Sequence, residues 1–283
     1  MSDERRERRY LMTSIVAIAL LALTYVVFVR TEWGQRVDDV AFDGREVEDP
    51  AVTQALNELL HSITQTSLFL LTAAIVTIAL ARRRWRLALV VGTTIVGAVV
   101  TTEVLKTRVL DRPRFDGVAG LEENWFPSGH ATIGISLALG SVMVAPHARR
   151  WLITVAAAAL SAVFGIGVVA AGWHRPSDVI GAYLVAVAWF AASTAILLRW
   201  RGSGTEEMGT VEARLSKEPV AVATALAVIA AILALFQTFT ADGLRTVEYA
   251  AAYLAAGVVI VTMGIGLVVG YALSLRGASL DPQ

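Results

Sequence analysis

Three short stretches of this 283-residue chain hold residue types that do chemistry on an anion. Pro127-Ser128-Gly129-His130 reads as a helix start, since Pro suits a first helical turn and Ser and Gly leave backbone N–H groups open to an anion. His130 then stands beside whatever those groups hold. His174 precedes Asp178 by four residues, and Pro176 between them marks another helix start. An Asp beside a His fixes the imidazole tautomer and stabilises the imidazolium, so the second ring nitrogen can attack or take a proton. Lys106, Arg108, Arg112 and Arg114 suit a multiply charged oxyanion, Arg by its bidentate fork and Lys as a point charge. Together these groups are the equipment for phosphoryl transfer through a covalent phosphohistidine. Plainer roles stay open for each: an interfacial His, an acid favoured in a first helical turn, a solvated basic loop. With four His and no Cys, no metal is expected.

The elements that must position these residues are membrane helices. Hydrophobic residues make up 56% of the chain, charged residues 17%, and the mean hydropathy is +0.62. Soluble domains run near 45–50% apolar and about 25% charged. Basic and acidic residues number 24 each, so no net charge points to nucleic acid. The absence of Cys excludes a disulfide frame and a thiol nucleophile. Continuous apolar runs near the required length of about 20 residues lie at 10–29, 64–81, 87–105, 131–145, 151–171, 179–198, 220–238 and 249–274. Continuous runs exclude membrane strands, which alternate. The expected class is therefore all-α, a polytopic membrane helix bundle.

If the N-terminal side is inside and every run crosses, fifteen of the 24 basic residues fall on inner segments. Five of the nine outer ones lie in the stretches that hold Lys106, Arg108, Arg112, Arg114 and Arg175, where an anion site gives positive charge another reason. The N-terminus is thus expected in the cytoplasm of a plasma-membrane protein, with the site extracytoplasmic. The loops after the third and fifth runs open on one face, so their residues can converge. Between the first two runs, Val52-Thr-Gln-Ala-Leu-Asn-Glu-Leu-Leu has the spacing of an interfacial amphipathic helix. Residues 199–219 read as a flexible cytoplasmic connector. They divide a six-helix core (1–198) from a two-helix extension (220–283).

At this level of detail the chain resembles the type-2 phosphatidic acid phosphatase superfamily of membrane lipid phosphatases. The family motifs are Lys, six residues, Arg-Pro; then Pro-Ser-Gly-His; then Ser-Arg, five residues, His, three residues, Asp. Pro127-Ser128-Gly129-His130 matches in full, and His174 with Asp178 matches the end of the third. The resemblance covers about residues 10–198. It implies His174 as nucleophile, Asp178 as its orienting partner, and His130 as the group that protonates the leaving oxygen and then activates water. It also implies that Lys106, Arg112, Ser128 and the Gly129 N–H hold the phosphoryl oxygens, without cofactor or metal.

Two departures stand out. Five residues rather than six separate Lys106 from Arg112-Pro113, so that Arg114 is an alternative to Arg112. Gly167 and Val168 stand where the family has Ser-Arg, leaving Arg175, Arg108 or Arg114 as substitutes for the absent phosphate ligand. The expected function is a membrane phosphatase acting on a lipid phosphate or diphosphate at the outer leaflet. A lipid phosphotransferase and a non-catalytic protein that binds an anionic lipid are the alternatives. The partners implied are the membrane and the lipid substrate; oligomeric state is open.

Overall fold

A run of apolar residues in hydrocarbon has no water for its peptide groups, so it must satisfy them within a helix. The computed structural model describes residues 3–47, 50–62, 65–115, 124–200 and 245–275, and among them every regular element is helical. Helix α1 (Asp3–Thr24) runs on through a π-turn, Tyr25–Val29. It is followed by α2 (Glu32–Asp43), α3 (Pro50–Ser62), α4 (Gln65–Ala81) and α5 (Trp85–Val104), the last extended by a second π-turn, Leu105–Val109. Then come α6 (Gly129–Val144), α7 (Arg150–Ala170), α8 (Pro176–Trp200) and α9 (Arg245–Ser274).

Among the described residues, five helical stretches are long and apolar enough to cross a bilayer: Glu4–Val29, Trp85–Val109, His147–Ala170, Pro176–Trp200 and Glu248–Ser274. The expected runs at 64–81 and 131–145 form the shorter helices α4 and α6, of 17 and 16 residues. The expected run at 220–238 and nearly all of the connector lie outside the described residues. The amphipathic segment is α3, which packs on α7. Helix α2 was not foreseen.

Side chains are distributed as a lipid solvent demands. Phe69, Trp151, Val155 and Leu254 are more than 60% exposed on the outside of the bundle. Inside, hydroxyls bond across helices: Thr94 to Ser193 at 2.5 Å, Thr102 with Thr132 at 2.9 Å, and Thr194 with Tyr271 at 2.8 Å. Small residues let the helices approach, as at Gly165, where a Cβ would lie 2.1 Å from the Tyr183 hydroxyl. Helix α8 is the axis of the bundle, packed against α1, α5, α6 and α9. Helix α9 also lies along α7 and reaches α2.

The two ends of the bundle differ in charge. At one end, Arg82 Nη1 donates to Val144 O at 2.6 Å, Arg86 Nη1 to Trp200 O at 3.2 Å and Arg150 Nη1 to Leu275 O at 3.4 Å. The other end gathers the last turn of α5, the starts of α6 and α8, the end of α7, and α2.

Candidate active site

The local sequence sets each part of this end. Ser128 is the N-cap of α6, extended at φ −71° and ψ 122°, and its hydroxyl accepts from Ala131 N at 3.3 Å. Its own N–H donates to the Asp178 carbonyl at 2.9 Å, which ties the start of α6 to the start of α8. Gly129 brings the first stretch in. A Cβ there would lie 2.9 Å from Glu103 Oε1 and 3.7 Å from Lys106 Nζ, and Lys106 Nζ donates to Glu103 Oε1 at 2.8 Å. Lys106 sits in the π-turn closed by Leu110 N on Leu105 O at 2.8 Å. Asn124 binds that turn to the next stretch, donating to Lys106 O and Leu110 O at 3.3 and 3.1 Å.

Helix α7 ends at Gly172, whose φ of +76° is the left-handed turn that glycine allows without strain. Val168 O accepts from Trp173 N at 2.9 Å and from His174 N at 3.1 Å. Position 168 therefore lends the loop its carbonyl, not a side chain. His174 and Asp178 are both buried, with His174 Nδ1 3.3 Å from Asp178 Oδ2. Oδ2 also accepts from Arg175 N at 3.0 Å. This leaves Nε2 of His174 as the ring nitrogen not engaged by the carboxylate. His130, half-buried in the first turn of α6, packs edge-on against Trp173 at 5.0 Å, the chain neighbour of His174. Trp173 is held by Asn57 of α3, 2.8 Å from its indole N–H.

Arg112 is the unusual group. Its side chain is 4% exposed, yet Nε, Nη1 and Nη2 have no hydrogen-bond partner. The Asp178 Oδ1 atom lies 3.9 Å from Nη2, beyond hydrogen-bond range, and is itself without a partner. The indole N–H of Trp125, whose ring is 5.8 Å from that of His174, is likewise buried and unbonded. Buried donors left in this state cost free energy unless an acceptor comes to them.

The loop that carries Arg112 is fixed at both sides. Asp111 takes Arg30 Nη1 at 2.5 and 2.6 Å, and its carbonyl accepts from the Tyr25 hydroxyl at 2.8 Å. Pro113 O accepts from Gln35 Nε2 of α2 at 2.9 Å. Hence Arg112 is turned inward despite the five-residue spacing from Lys106, while Arg108 and Arg114 are exposed. Arg175 is buried with its Nε on Asp39, under which the Phe42 ring lies 5.6 Å from the guanidinium carbon.

Residues 85–201 match the family model of the PAP2 superfamily. That segment runs from α5 to α8 and holds every residue expected in the site, while α1 to α4 and α9 lie outside it. No curated protein matches the sequence. The chain is similar in structure to a transmembrane PAP2-type phosphatidylglycerolphosphate phosphatase from Bacillus subtilis, with a TM-score of 0.54 and 16% identity. The similarity covers 70% of this chain and 99% of that one, and at such identity it speaks for the fold. Within the PAP2 segment, the structure brings Lys106, Arg112, Ser128, Gly129, His130, His174, Arg175 and Asp178 to one end of the bundle. Arg114 stays on the surface.

Asp38 and Asp39 of α2 were missed. Asp38 Oδ1 accepts from Ser177 N at 3.0 Å, and Oδ2 from the Ser177 hydroxyl at 2.5 Å. Burial, and then the charge of Asp178, push the Asp38 carboxyl up to about 7, against the opposing pull of the Ser177 bonds and Arg112. Burial also raises Asp39, with Arg175 opposing it. A signal did exist: Gln35, Asp38, Asp39 and Phe42 fall at i, i+3, i+4 and i+7, one helix face.

Proposed function

We propose that this protein is an integral membrane phosphatase that hydrolyses a lipid phosphate or diphosphate through a phosphohistidine intermediate, at the extracytoplasmic face. The observation that carries the reading is the Arg112 guanidinium, buried and without a hydrogen bond beside the His174–Asp178 pair. A phosphoryl group supplies the acceptors that guanidinium lacks, within reach of a ring nitrogen free to attack.

In the first step Nε2 of His174 forms a bond to phosphorus as the bond to the leaving oxygen breaks. His130 gives its proton to that oxygen. Asp178 holds Nδ1 and balances the charge that develops on the ring. In the second step water attacks phosphorus, His130 takes the water proton, and the P–N bond breaks to restore His174. Arg112, Lys106, the Ser128 hydroxyl and the Gly129 N–H stabilise the equatorial oxygens. Arg175 stays in the same cluster, anchored by Asp39. No metal is needed, because cationic side chains take that role. The Arg-rich opposite end of the bundle supports the outward orientation of the site by the positive-inside tendency.

The test is phosphate release from a panel of lipid phosphates and diphosphates in detergent, with wild type and His174→Ala side by side. Wild type should turn over at least one member of the panel and His174→Ala none. Equal release by both would overturn the nucleophile.

A further inference from the structure

Helix α2 lies outside the PAP2 segment, yet beside Ala41 and Phe42 it buries three polar side chains where a covering helix would bury apolar ones. Gln35, Asp38 and Asp39 are 2%, 3% and 7% exposed. Burying two carboxylates is costly unless each is bonded, so a helix serving only as cover would be more stable with Leu or Val at these positions. Apart from one bond of Gln35 to the π-turn after α1, their bonds go to two loops of the site. Gln35 Nε2 donates to Val29 O at 2.8 Å and to Pro113 O at 2.9 Å, beside Arg112. Asp38 binds the N–H and hydroxyl of Ser177, and Asp39 binds Arg175 Nε. Residues 175 and 177 flank Pro176, and Arg175 N is the donor that holds Asp178 Oδ2 against His174.

Helix α2 is itself fixed in place. Thr31 caps it, accepting from Gly34 N at 3.0 Å, and a Cβ on Gly34 would lie 1.9 Å from Val27 O at the end of α1. At its far end, a Cβ on Gly44 would lie 2.0 Å from Tyr249 O of α9. A rigid helix, held at both ends, thus touches the loop of the phosphate-binding Arg and the loop of the nucleophile from one face.

We infer that α2 is a brace for the reaction centre, in which Gln35, Asp38 and Asp39 are positioning residues that set the Arg112 loop and the His174–Asp178 loop relative to each other. This rests on the phosphatase reading above. None of the three touches the phosphoryl group; each acts through the main chain or side chain of a residue next to Arg112, His174 or Asp178. Misplacing a reacting group by about 1 Å can cost about a hundredfold in rate, so the effect belongs in kcat.

The experiment measures kcat, KM and melting temperature in detergent for wild type, His174→Ala, Asp38→Ala, Asp38→Asn, Asp39→Ala and Ser177→Ala. Asn at 38 can still accept from Ser177 N and can donate to the Ser177 hydroxyl. Asp38→Ala and Asp39→Ala should lower kcat by about ten- to a hundredfold with KM changed less than about threefold, and Asp38→Asn should recover most of that loss. If the Ala variants do not fold, Asp38→Asn and Ser177→Ala decide, with the larger kcat loss expected for Ser177→Ala. Wild-type kcat in the Ala variants, a loss confined to KM, or an Asn variant as slow as Ala would each overturn the brace. The two readings fail separately. Turnover by His174→Ala removes the phosphatase mechanism; an inactive His174→Ala beside full kcat in the α2 variants removes the brace alone.

Discussion

Ser128 N donates to the carbonyl of Asp178 across 2.9 Å, joining the second residue of one candidate motif to the last residue of another, 50 positions on. Through this bond the N-terminus of α6 and the His174–Asp178 pair keep a fixed relation. An anion held by the N–H groups of α6 is therefore presented to an imidazole that cannot drift from it. The bond uses only main-chain atoms, so side-chain substitutions at 128 and 178 leave this tie in place.

Asp178→Asn is the cleanest of these. The amide oxygen can still accept from Arg175 N, but the negative charge beside His174 Nδ1 is gone. We expect kcat to fall by about 10²–10⁴-fold with a melting temperature near that of wild type. Steady-state kinetics with thermal unfolding of the same preparation measures both.

Arg112 separates function from stability. Removing an electrostatic ligand of a transition state costs about 2.7–4 kcal/mol, or about 10²–10³ in kcat. The same side chain makes no hydrogen bond in the fold, but its charge lies 3.9 Å from Asp178 Oδ1 and opposes the raising of the Asp38 carboxyl, so deleting the charge would leave buried carboxylates uncompensated. Arg112→Lys, which keeps the charge but not the bidentate fork, should lose much of that activity and melt near the wild-type temperature. A variant that melts lower without losing turnover would make Arg112 a structural residue.

Much of this was legible in the sequence, for particular reasons. Lipid forces the apolar runs to be helices, so the class and the approximate extents of α5, α7 and α8 follow from hydropathy, and the starts of α6 and α8 from Ser128 and Pro176. Parity of the crossings then puts Lys106, Arg112 and Pro127-Ser128-Gly129-His130 at the same end as residues 172–178. What could not be read was which cation turns inward. Arg112 and Arg114 are two residues apart in an irregular loop, and the choice depends on Asp111 and Pro113 being held by Arg30, Tyr25 and Gln35 from another part of the chain. Helix α2 was passed over because three polar side chains share its buried face, whereas a hydrophobic pattern is what a search for helices detects.

The pH dependence of stability follows from Asp38. Its carboxyl is raised from 3.8 to about 7 in the folded protein, with Asp178 and Arg112 the charged groups that act on it and Ser177 its bonding partner. A raised folded-state value means that the stabilising contribution is complete below 3.8 and is lost as pH rises to about 7. Asp38→Asn has no such proton to lose. Its melting temperature relative to wild type should therefore increase as pH rises over that window and level off above it. A difference independent of pH would show that Asp38 ionises normally.

Chelation tests the cationic cluster. With Lys106 and Arg112 supplying the positive charge, prolonged EDTA treatment should leave turnover unchanged, and added Mg²⁺ or Zn²⁺ should not raise it. Loss of activity on chelation, restored by one metal, would contradict the metal-free mechanism.

The most direct measurement is a rapid quench of wild type with a lipid substrate labelled at the transferred phosphorus, followed by mapping of the labelled residue. The account predicts an acid-labile, base-stable phosphoryl group on His174 in wild type and none in His174→Ala. Turnover by wild type with no label on His174, or with label on another residue, would contradict it.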